Sequence, residues 1–263
     1  MTSRSFRRLL ALFAIAVALA ACGRTESYRY KLTLAINTPG GVKRASSVVE
    51  VVFFPVSIPD RGIMHKLRGQ ALYLDLGPGE KPLIALLTSQ LHPKYGKNVR
   101  WSRDGGPTLD IISNEPLSDD FMENISRIAQ QRGAHRITPG DLPDLVTFAD
   151  INDPATVIEV DRNDLEQTLG PGISWNEIAL ESTDEPITKG LEQKLPWLPY
   201  YWCGTLMLDG SPVSTKKTLA NTLQAADFDW SDEAIERARQ KTSHGNISYE
   251  CWKSVTEWQQ HRR

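Results

Sequence analysis

The fold of this chain is decided by residues 28–36, YRYKLTLAI, followed by TPGG at residues 38–41 and by a second apolar run, SVVEVVFF, at residues 47–54. Apolar and polar side chains alternate along residues 28–36, which is the pattern of a β-strand with one buried face. Proline and glycine at 39–41 are typical of a tight turn. The sequence therefore predicts an antiparallel hairpin at the start of the folded domain.

Outward from this hairpin, turn residues separate further strand-like runs. The expected strands cover Gly69–Leu76 paired with a buried Leu83–Leu87, Thr108–Ile112, Ile173–Thr183, and two runs, Gly204–Leu208 and Ser211–Thr215, joined at Asp209-Gly210. Asp-Gly favours a two-residue hairpin turn. Most of the predicted structure is therefore antiparallel sheet.

Helix signals lie between these strands. Helices are expected from an N-cap at Ser118 to about Gly133, in a short segment before Gly170, from Thr183 to about Leu195, and after an N-cap at Ser231. No repeat or low-complexity linker interrupts the chain. We predict an α+β fold, mainly antiparallel sheet with several short helices, in a single domain at residues 28–263.

The N-terminal residues carry an export signal. Arg4, Arg7 and Arg8 precede an apolar run from Leu9 to Ala20, which is shorter than the roughly 20 residues that a membrane-spanning helix needs. The run ends in Leu19-Ala20-Ala21-Cys22. These features indicate a secretory signal peptide over residues 1–21.

The tetrapeptide at residues 19–22 resembles the lipobox of bacterial lipoproteins. In that family the cysteine is diacylated, the preceding peptide is removed and the new amino group is usually acylated. The resemblance implies lipid on Cys22, a tether at residues 22–27 and a position facing the periplasm. Gly23 stands where Asp retains lipoproteins of enteric bacteria in the inner membrane, so the outer membrane is favoured. Residues 33–54, TLAINTPGGVKRASSVVEVVFF, and 183–198, TDEPITKGLEQKLPWL, resemble segments of uncharacterised proteobacterial lipoproteins, which implies no activity.

Removal of residues 1–21 changes the charge balance, because three arginines and no acidic residue are lost and the net charge falls from −2 to −5. A mildly acidic domain argues against a nucleic-acid partner. It also argues against a polybasic membrane patch. Two or more acyl chains are enough to hold a protein on a bilayer.

Cys203 and Cys251 remain once Cys22 carries lipid. An even number of cysteines in an oxidising compartment favours a disulfide between them. A metal pair is the alternative, with His244 as the one imidazole nearby in sequence. The disulfide would tie the C-terminal segment to the rest of the domain.

An aromatic cluster precedes Cys203: Trp197, Tyr200, Tyr201 and Trp202. Tyrosine and tryptophan are favoured in interfaces because they offer rigid contact area with a polar end. Any exposed part of this cluster is the candidate binding surface. The alternative is a small aromatic core packed around the disulfide.

Residues for catalysis or metal binding are scattered. Histidines 65, 92, 135, 244 and 261 stand singly, and neither a nucleophile elbow nor a zinc-protease motif occurs. The aspartates at 150–153 and 161–164 lack the spacing of an EF-hand, and turns or helix caps explain them. We predict no cofactor and no metal.

These patterns predict a lipid-anchored periplasmic module that binds an envelope protein partner without catalysis. Two alternatives stay open. An envelope hydrolase would assemble its site in space, with a histidine beside a carboxylate and a hydroxyl. A carrier of lipid or sugar would enclose an apolar or aromatic cavity.

Overall fold

The hairpin predicted from residues 28–54 is the longest feature of the fold. A computed structural model describes residues 24–56, 62–91, 100–102, 105–202, 206–243, 246–247 and 249–261. Strands β1 (Glu26–Thr38) and β2 (Gly41–Pro55) pair in an unbroken antiparallel register, from Glu26 opposite Phe53 to Thr38 opposite Gly41. The predicted alternation is confirmed, because the even-numbered residues from Tyr28 to Ile36 are buried.

The hairpin forms the centre of a five-stranded antiparallel sheet in the order β3-β2-β1-β9-β6. Its other strands are β3 (Ile63–Arg68), β6 (His135–Arg136) and β9 (Ser174–Ser182). Strand β9 confirms the strand expected at 173–183. Since β9 pairs with β1 from Tyr30 onward, it leaves the first residues of β1 without a strand on that side.

A second sheet, in the order β4-β5-β7-β8, is also antiparallel. It consists of β4 (Leu72–Leu74), β5 (Leu83–Ala85), β7 (Leu145–Phe148) and β8 (Val157–Glu159), and a separate two-stranded sheet pairs β10 (Thr242–Ser243) with β11 (Asn246–Ile247). The hairpin expected from residues 69–87 is confirmed in β4 and β5, and β5 is buried throughout as predicted.

Six helices occur in the described residues: α1 (Leu109–Ile112), α2 (Phe121–Gln130), α3 (Leu165–Leu169), α4 (Leu198–Tyr201), α5 (Asp232–Lys241) and α6 (Tyr249–His261). The predicted N-cap of α2 is wrong by two residues, because Asp120 rather than Ser118 accepts the Glu123 backbone N–H. The predicted cap of α5 is confirmed, since Ser231 Oγ accepts from Ala234 N.

The strand predicted at Thr108–Ile112 is a helical turn, because Arg100 accepts the backbone N–H of Thr108 and the chain then closes from Ser113 N to Leu109 O. The strands predicted around Asp209-Gly210 are also wrong for the described residues 206–215. A tight turn closes at Asp209-Gly210, where Gly210 N donates to Met207 O and Met207 N donates to Ser211 O, but no strand continues on either side within these residues. The isolated bridge of Met207 is with Gln224.

The helix predicted from Thr183 to Leu195 is replaced by an extended segment at residues 183–190, which we call the crossing segment. It leaves β9 beside Arg29 and reaches the outer edge of β2, where Thr188 N donates to Val48 O. One 3₁₀ turn follows at Leu191–Gln193. Hydrogen bonds to the sheet outweigh the local helix signal of this segment.

The core is one continuous cluster of apolar side chains shared by the two larger sheets and by all six described helices. Trp101 meets the edge of Tyr30 at 5.5 Å on the five-stranded sheet, and Trp197 meets Phe228 at 5.4 Å beside the second sheet. The protein therefore has the predicted α+β fold.

Candidate functional site

A groove of about 230 Å³ opens where β9 ends and the crossing segment begins. We call it the β1 groove. It is lined by Ser27, Tyr28, Arg29, Glu50, Ala129, Thr183 and Asp184. Strand β1 provides one wall, the C-terminal part of α2 provides Ala129, and the crossing segment closes the far side. The groove thus exists because β1 begins four residues before its pairing with β9.

A row of charges runs across the sheet beside the groove. Arg29, Glu50 and Arg68 are direct cross-strand neighbours on β1, β2 and β3, so their side chains share one face. Glu50 is buried, with its carboxylate 3.2 Å from Arg68 Nη1 and 3.6 Å from Arg29 Nε. The two guanidinium groups compensate the buried carboxylate, as a buried charge requires.

The crossing segment fixes the groove from the other side. Arg29 Nη1 donates to the carbonyl oxygens of Glu185 at 3.2 Å and Asp184 at 3.4 Å, while Thr183 N donates to Arg29 O at 3.0 Å. Lys31 lies 2.5 Å from Glu185 Oε1, and this hydrogen bond raises the pKa of the lysine. The wall of the groove is therefore held in place by main-chain and side-chain bonds.

The backbone of Ser27 faces the groove. In a strand, residues two apart direct their N–H and C=O groups to the same side. Arg29 O points toward the crossing segment, so the groups of Ser27 point in the same direction, one step beyond the last pairing. They have no partner on that side among the described residues. An extended polar peptide could therefore continue the sheet at this point.

The predicted aromatic surface is mostly interior. Trp197, Tyr201 and Trp202 are buried, and Trp197 packs against Tyr201 with ring centroids 5.7 Å apart. Tyr200 is 37% exposed and lies 5.1 Å from Trp258 of α6. Three of the four residues therefore belong to the core, and Tyr200 is the exposed part of the cluster. Binding at Tyr200 stays a prediction.

The three cysteine predictions lie outside what the structure describes, because Cys22 and Cys203 fall in undescribed ranges and the side chain of Cys251 is likewise undescribed. The Arg237 guanidinium of α5 lies 5.2 Å from the ring of Trp202. This contact ties α5 to the aromatic core. Lipid on Cys22 and the Cys203–Cys251 disulfide remain predictions.

The aspartate-rich segments form turns and caps. Asp150 Oδ1 accepts from Asn152 N, Asp153 Oδ1 accepts from Ala155 N, and Asp164 caps α3. Within the described ranges, no three side chains of the metal-binding types come together. The aspartates therefore have the structural role that their spacing indicated.

Two histidines lie in the described side chains. His65 packs against Phe53 at 5.5 Å, and its buried Nε2 lacks a partner among the described residues, while His135 Nε2 donates to Ile111 O at 2.6 Å. Neither residue lines the β1 groove, whose lining is largely polar. The groove thus matches neither the hydrolase site nor the apolar carrier cavity that the sequence left open.

Sequence reasoning missed the β1 groove, although one signal for it was present. A two-residue turn at 39–40 places Thr38 opposite Gly41 and therefore Arg29 opposite Glu50. That pairing predicts a charged row on the outer face. The approach of residues 183–185 to this row depends on contacts between distant parts of the chain.

No protein-family model matches this chain, and neither the curated proteins nor the solved structures include a similar one. The described helices are all too short or too polar to cross a bilayer. The assignment of a function therefore rests on the sequence and on the geometry of this molecule.

Proposed function

We propose that the protein is a lipoprotein of the bacterial envelope that faces the periplasm and binds a protein partner without catalysing a reaction. The anchor is the acylated Cys22, in the lipobox at residues 19–22. The proposed location is the outer membrane, because Gly23 lacks the retention signal of the lipoproteins it resembles. The net charge of −5 after processing fits an anchor made of acyl chains.

The observation that carries the binding proposal is the free edge of β1 in the groove. Ser27 directs a donor and an acceptor into it, and Arg29 and Glu50 offer charge of both signs next to that edge. Strand addition gains affinity from main-chain hydrogen bonds and specificity from alternate side chains. The proposed ligand is an extended peptide segment with at least one charged side chain.

The binding proposal is tested by photo-crosslinking in cells. A photoreactive amino acid in place of Thr183, on the groove wall, should give one discrete adduct. The control is Ser174, an exposed residue at the opposite end of β9. Adducts of equal yield at the two positions would contradict a binding site in the groove.

A second arm uses charge. Arg29→Ala should reduce the adduct at position 183, whereas Arg44→Ala should leave it unchanged, because Arg44 pairs with Glu177 away from the groove. Both arginines are on the same sheet face and both pair with a glutamate. Loss of the adduct in both variants would indicate a general charge effect instead of the proposed site.

The anchoring proposal has its own test. Cys22→Ser should move the protein from the membrane fraction to the soluble periplasmic fraction. Cys203→Ser, which removes one predicted disulfide partner, should leave it with the membrane. Equal membrane retention of both variants would contradict the lipid anchor.

A further inference from the structure

The start of β1 determines which end of the molecule is near the anchor. Glu26 begins β1 four peptide steps after Cys22, and an extended chain covers at most about 14 Å over four steps. Glu26 is opposite Phe53, near the end of β2. The sheet end that contains Glu26 and Phe53, which we call the anchor end, must therefore lie close to the acylated residue.

Exposed apolar side chains lie on both faces of the sheet at this anchor end, since Met64 is on the face opposite to Phe53. Ile63 and Met64 are 40% and 37% exposed at the start of β3, opposite Pro55 and Phe54. Phe121, at the first position of α2, is 38% exposed and meets the ring of Phe53 at 5.3 Å. We call Ile63, Met64 and Phe121 the anchor-end patch.

We propose that the anchor-end patch touches the phospholipid bilayer that holds the acyl chains of Cys22. The inference rests on the proposed anchoring and adds an orientation to it. The short tether keeps the patch at the membrane surface, where large apolar side chains gain by leaving water for the region between head groups and acyl chains. The bilayer is thus the partner that covers this patch.

The charged residues around the patch do not form a basic cluster, so the contact with the bilayer should be mainly apolar. Lys66 follows Met64 on β3, but Asp119 and Asp120 precede Phe121, and all three are exposed. Attraction to anionic lipids requires a cluster of basic residues. Contact should therefore depend little on the anionic lipid content of the bilayer.

The same orientation places the other end of the hairpin in the periplasm. Strand β1 has 13 residues, so the turn at Thr38–Gly41 lies about 40 Å from the anchor end. Val42, beside this turn, is 55% exposed. Val42 is therefore an exposed apolar control position that should stay in water.

The test uses the full lipidated protein in vesicles of phosphatidylethanolamine and phosphatidylglycerol. A spin label on an encoded ketone amino acid replaces Met64, Phe121 or Val42 in three separate proteins. Collisions with membrane-soluble oxygen and with a water-soluble nickel complex then report the surroundings of each label. Flotation of the vesicles measures anchoring independently.

Labels at 64 and 121 should lose collisions with nickel and gain collisions with oxygen when the protein joins vesicles, while the label at 42 should show neither change. Vesicles without phosphatidylglycerol should give the same pattern. Flotation with labels 64 and 121 as water-exposed as label 42 would overturn the orientation and leave the anchor intact. Failure to float would overturn the anchor and the orientation together.

Discussion

The two ends of the β1–β2 hairpin both expose apolar side chains, but they differ in what surrounds them. At the turn, Val42 stands alone beside the charged Lys43 and Arg44. At the anchor end, Phe121 rests on Phe53, and Phe53 stacks in turn on Tyr28 at 6.1 Å. A single exposed apolar residue is ordinary, whereas a group that continues a buried aromatic cluster marks a contact surface.

An exposed apolar side chain therefore indicates a contact surface only where it packs on a buried apolar cluster. The anchor end combines a packed aromatic cluster with an ion-pair row around the buried Glu50, three residues along β2 from Phe53. It also contains the first residue of β1, next to the proposed tether. The turn has none of these among the described residues. Substitutions should therefore cost stability at the anchor end and little at the turn.

The largest expected difference comes from Phe53→Ala against Val42→Ala. Phe53 is buried against Tyr28, His65 and Phe121, so its truncation leaves a cavity and should lower the free energy of unfolding by about 3–5 kcal/mol. Val42→Ala should change it by less than about 0.5 kcal/mol. Urea unfolding measures the free energy of unfolding of both variants. Equal decreases would contradict the proposed difference between the two ends of the hairpin.

Substitution of two glycines should give the next largest difference in the free energy of unfolding. Gly105 has φ +99°, and a Cβ there would lie 2.1 Å from Leu67 Cδ1, whose strand partner Val51 is two residues from Phe53. Gly105→Ala should cost about 2–4 kcal/mol from strain and overpacking. Gly41 at the turn has φ +105° with open space around it, so Gly41→Ala should cost about 1 kcal/mol.

Thermal unfolding of the two glycine variants separates the cost of the positive φ angle from the cost of the clash with Leu67. Since their φ angles are nearly equal, the difference between them reports the contact with Leu67. In a protein that already carries Leu67→Ala, Gly105→Ala should lower the free energy of unfolding by less than it does in the wild type. An unchanged loss would show that the clash is not its cause.

Substitution of two glutamates should give a smaller difference in the free energy of unfolding. Glu50→Ala leaves Arg29 and Arg68 without their shared carboxylate and should cost about 2 kcal/mol. Glu177 pairs with the exposed Arg44 nearer the turn, so Glu177→Ala should cost less than about 1 kcal/mol. Denaturant unfolding at low and high salt checks both values. A larger loss for Glu177→Ala would reverse the comparison.

The smallest expected effect concerns pH. The hydrogen bond from Arg68 lowers the pKa of Asp232 below its ordinary value of 3.8, and this ion pair ties α5 to β3. Its stabilisation is therefore present above the unfolded pKa and disappears as the pH falls through the folded one. Because the pair is exposed, Asp232→Asn should cost less than about 1 kcal/mol at pH 7.

The pH prediction is checked by thermal unfolding of the wild type and Asp232→Asn at pH 7 and at pH 2. The difference between their midpoints should shrink at the lower pH. Glu233→Gln, which alters an adjacent exposed carboxylate on α5, serves as control. A difference that persists unchanged at pH 2 would exclude the ion pair as its cause.

The parts of the fold that the sequence predicted are those set by local pattern. Alternation along residues 28–36 and the turn at 38–41 were enough for the hairpin, because strand period and turn chemistry are local properties. The crossing segment was predicted as a helix. Its path is fixed by Arg29 and Val48, which lie more than 130 residues away in the chain.

The candidate site was less predictable than the hairpin, because it depends on contacts between distant parts of the chain. Burial of Trp197 and Tyr201 depends on Phe148 and Phe228, which approach from other elements, so an aromatic run alone does not distinguish core from surface. The anchor-end patch likewise depends on tertiary contacts, since Phe121 of α2 reaches this end by packing on Phe53. The lipobox remains a prediction from a short local motif.

The proposed attachment of this domain to a membrane depends on acylation of Cys22. The most direct test is the intact mass of the protein purified from envelope membranes, with a fragment spectrum of its N-terminus. We expect a chain that begins at Cys22 and carries a mass added by acyl groups on that residue. A chain that begins elsewhere, or a Cys22 without lipid, would contradict it.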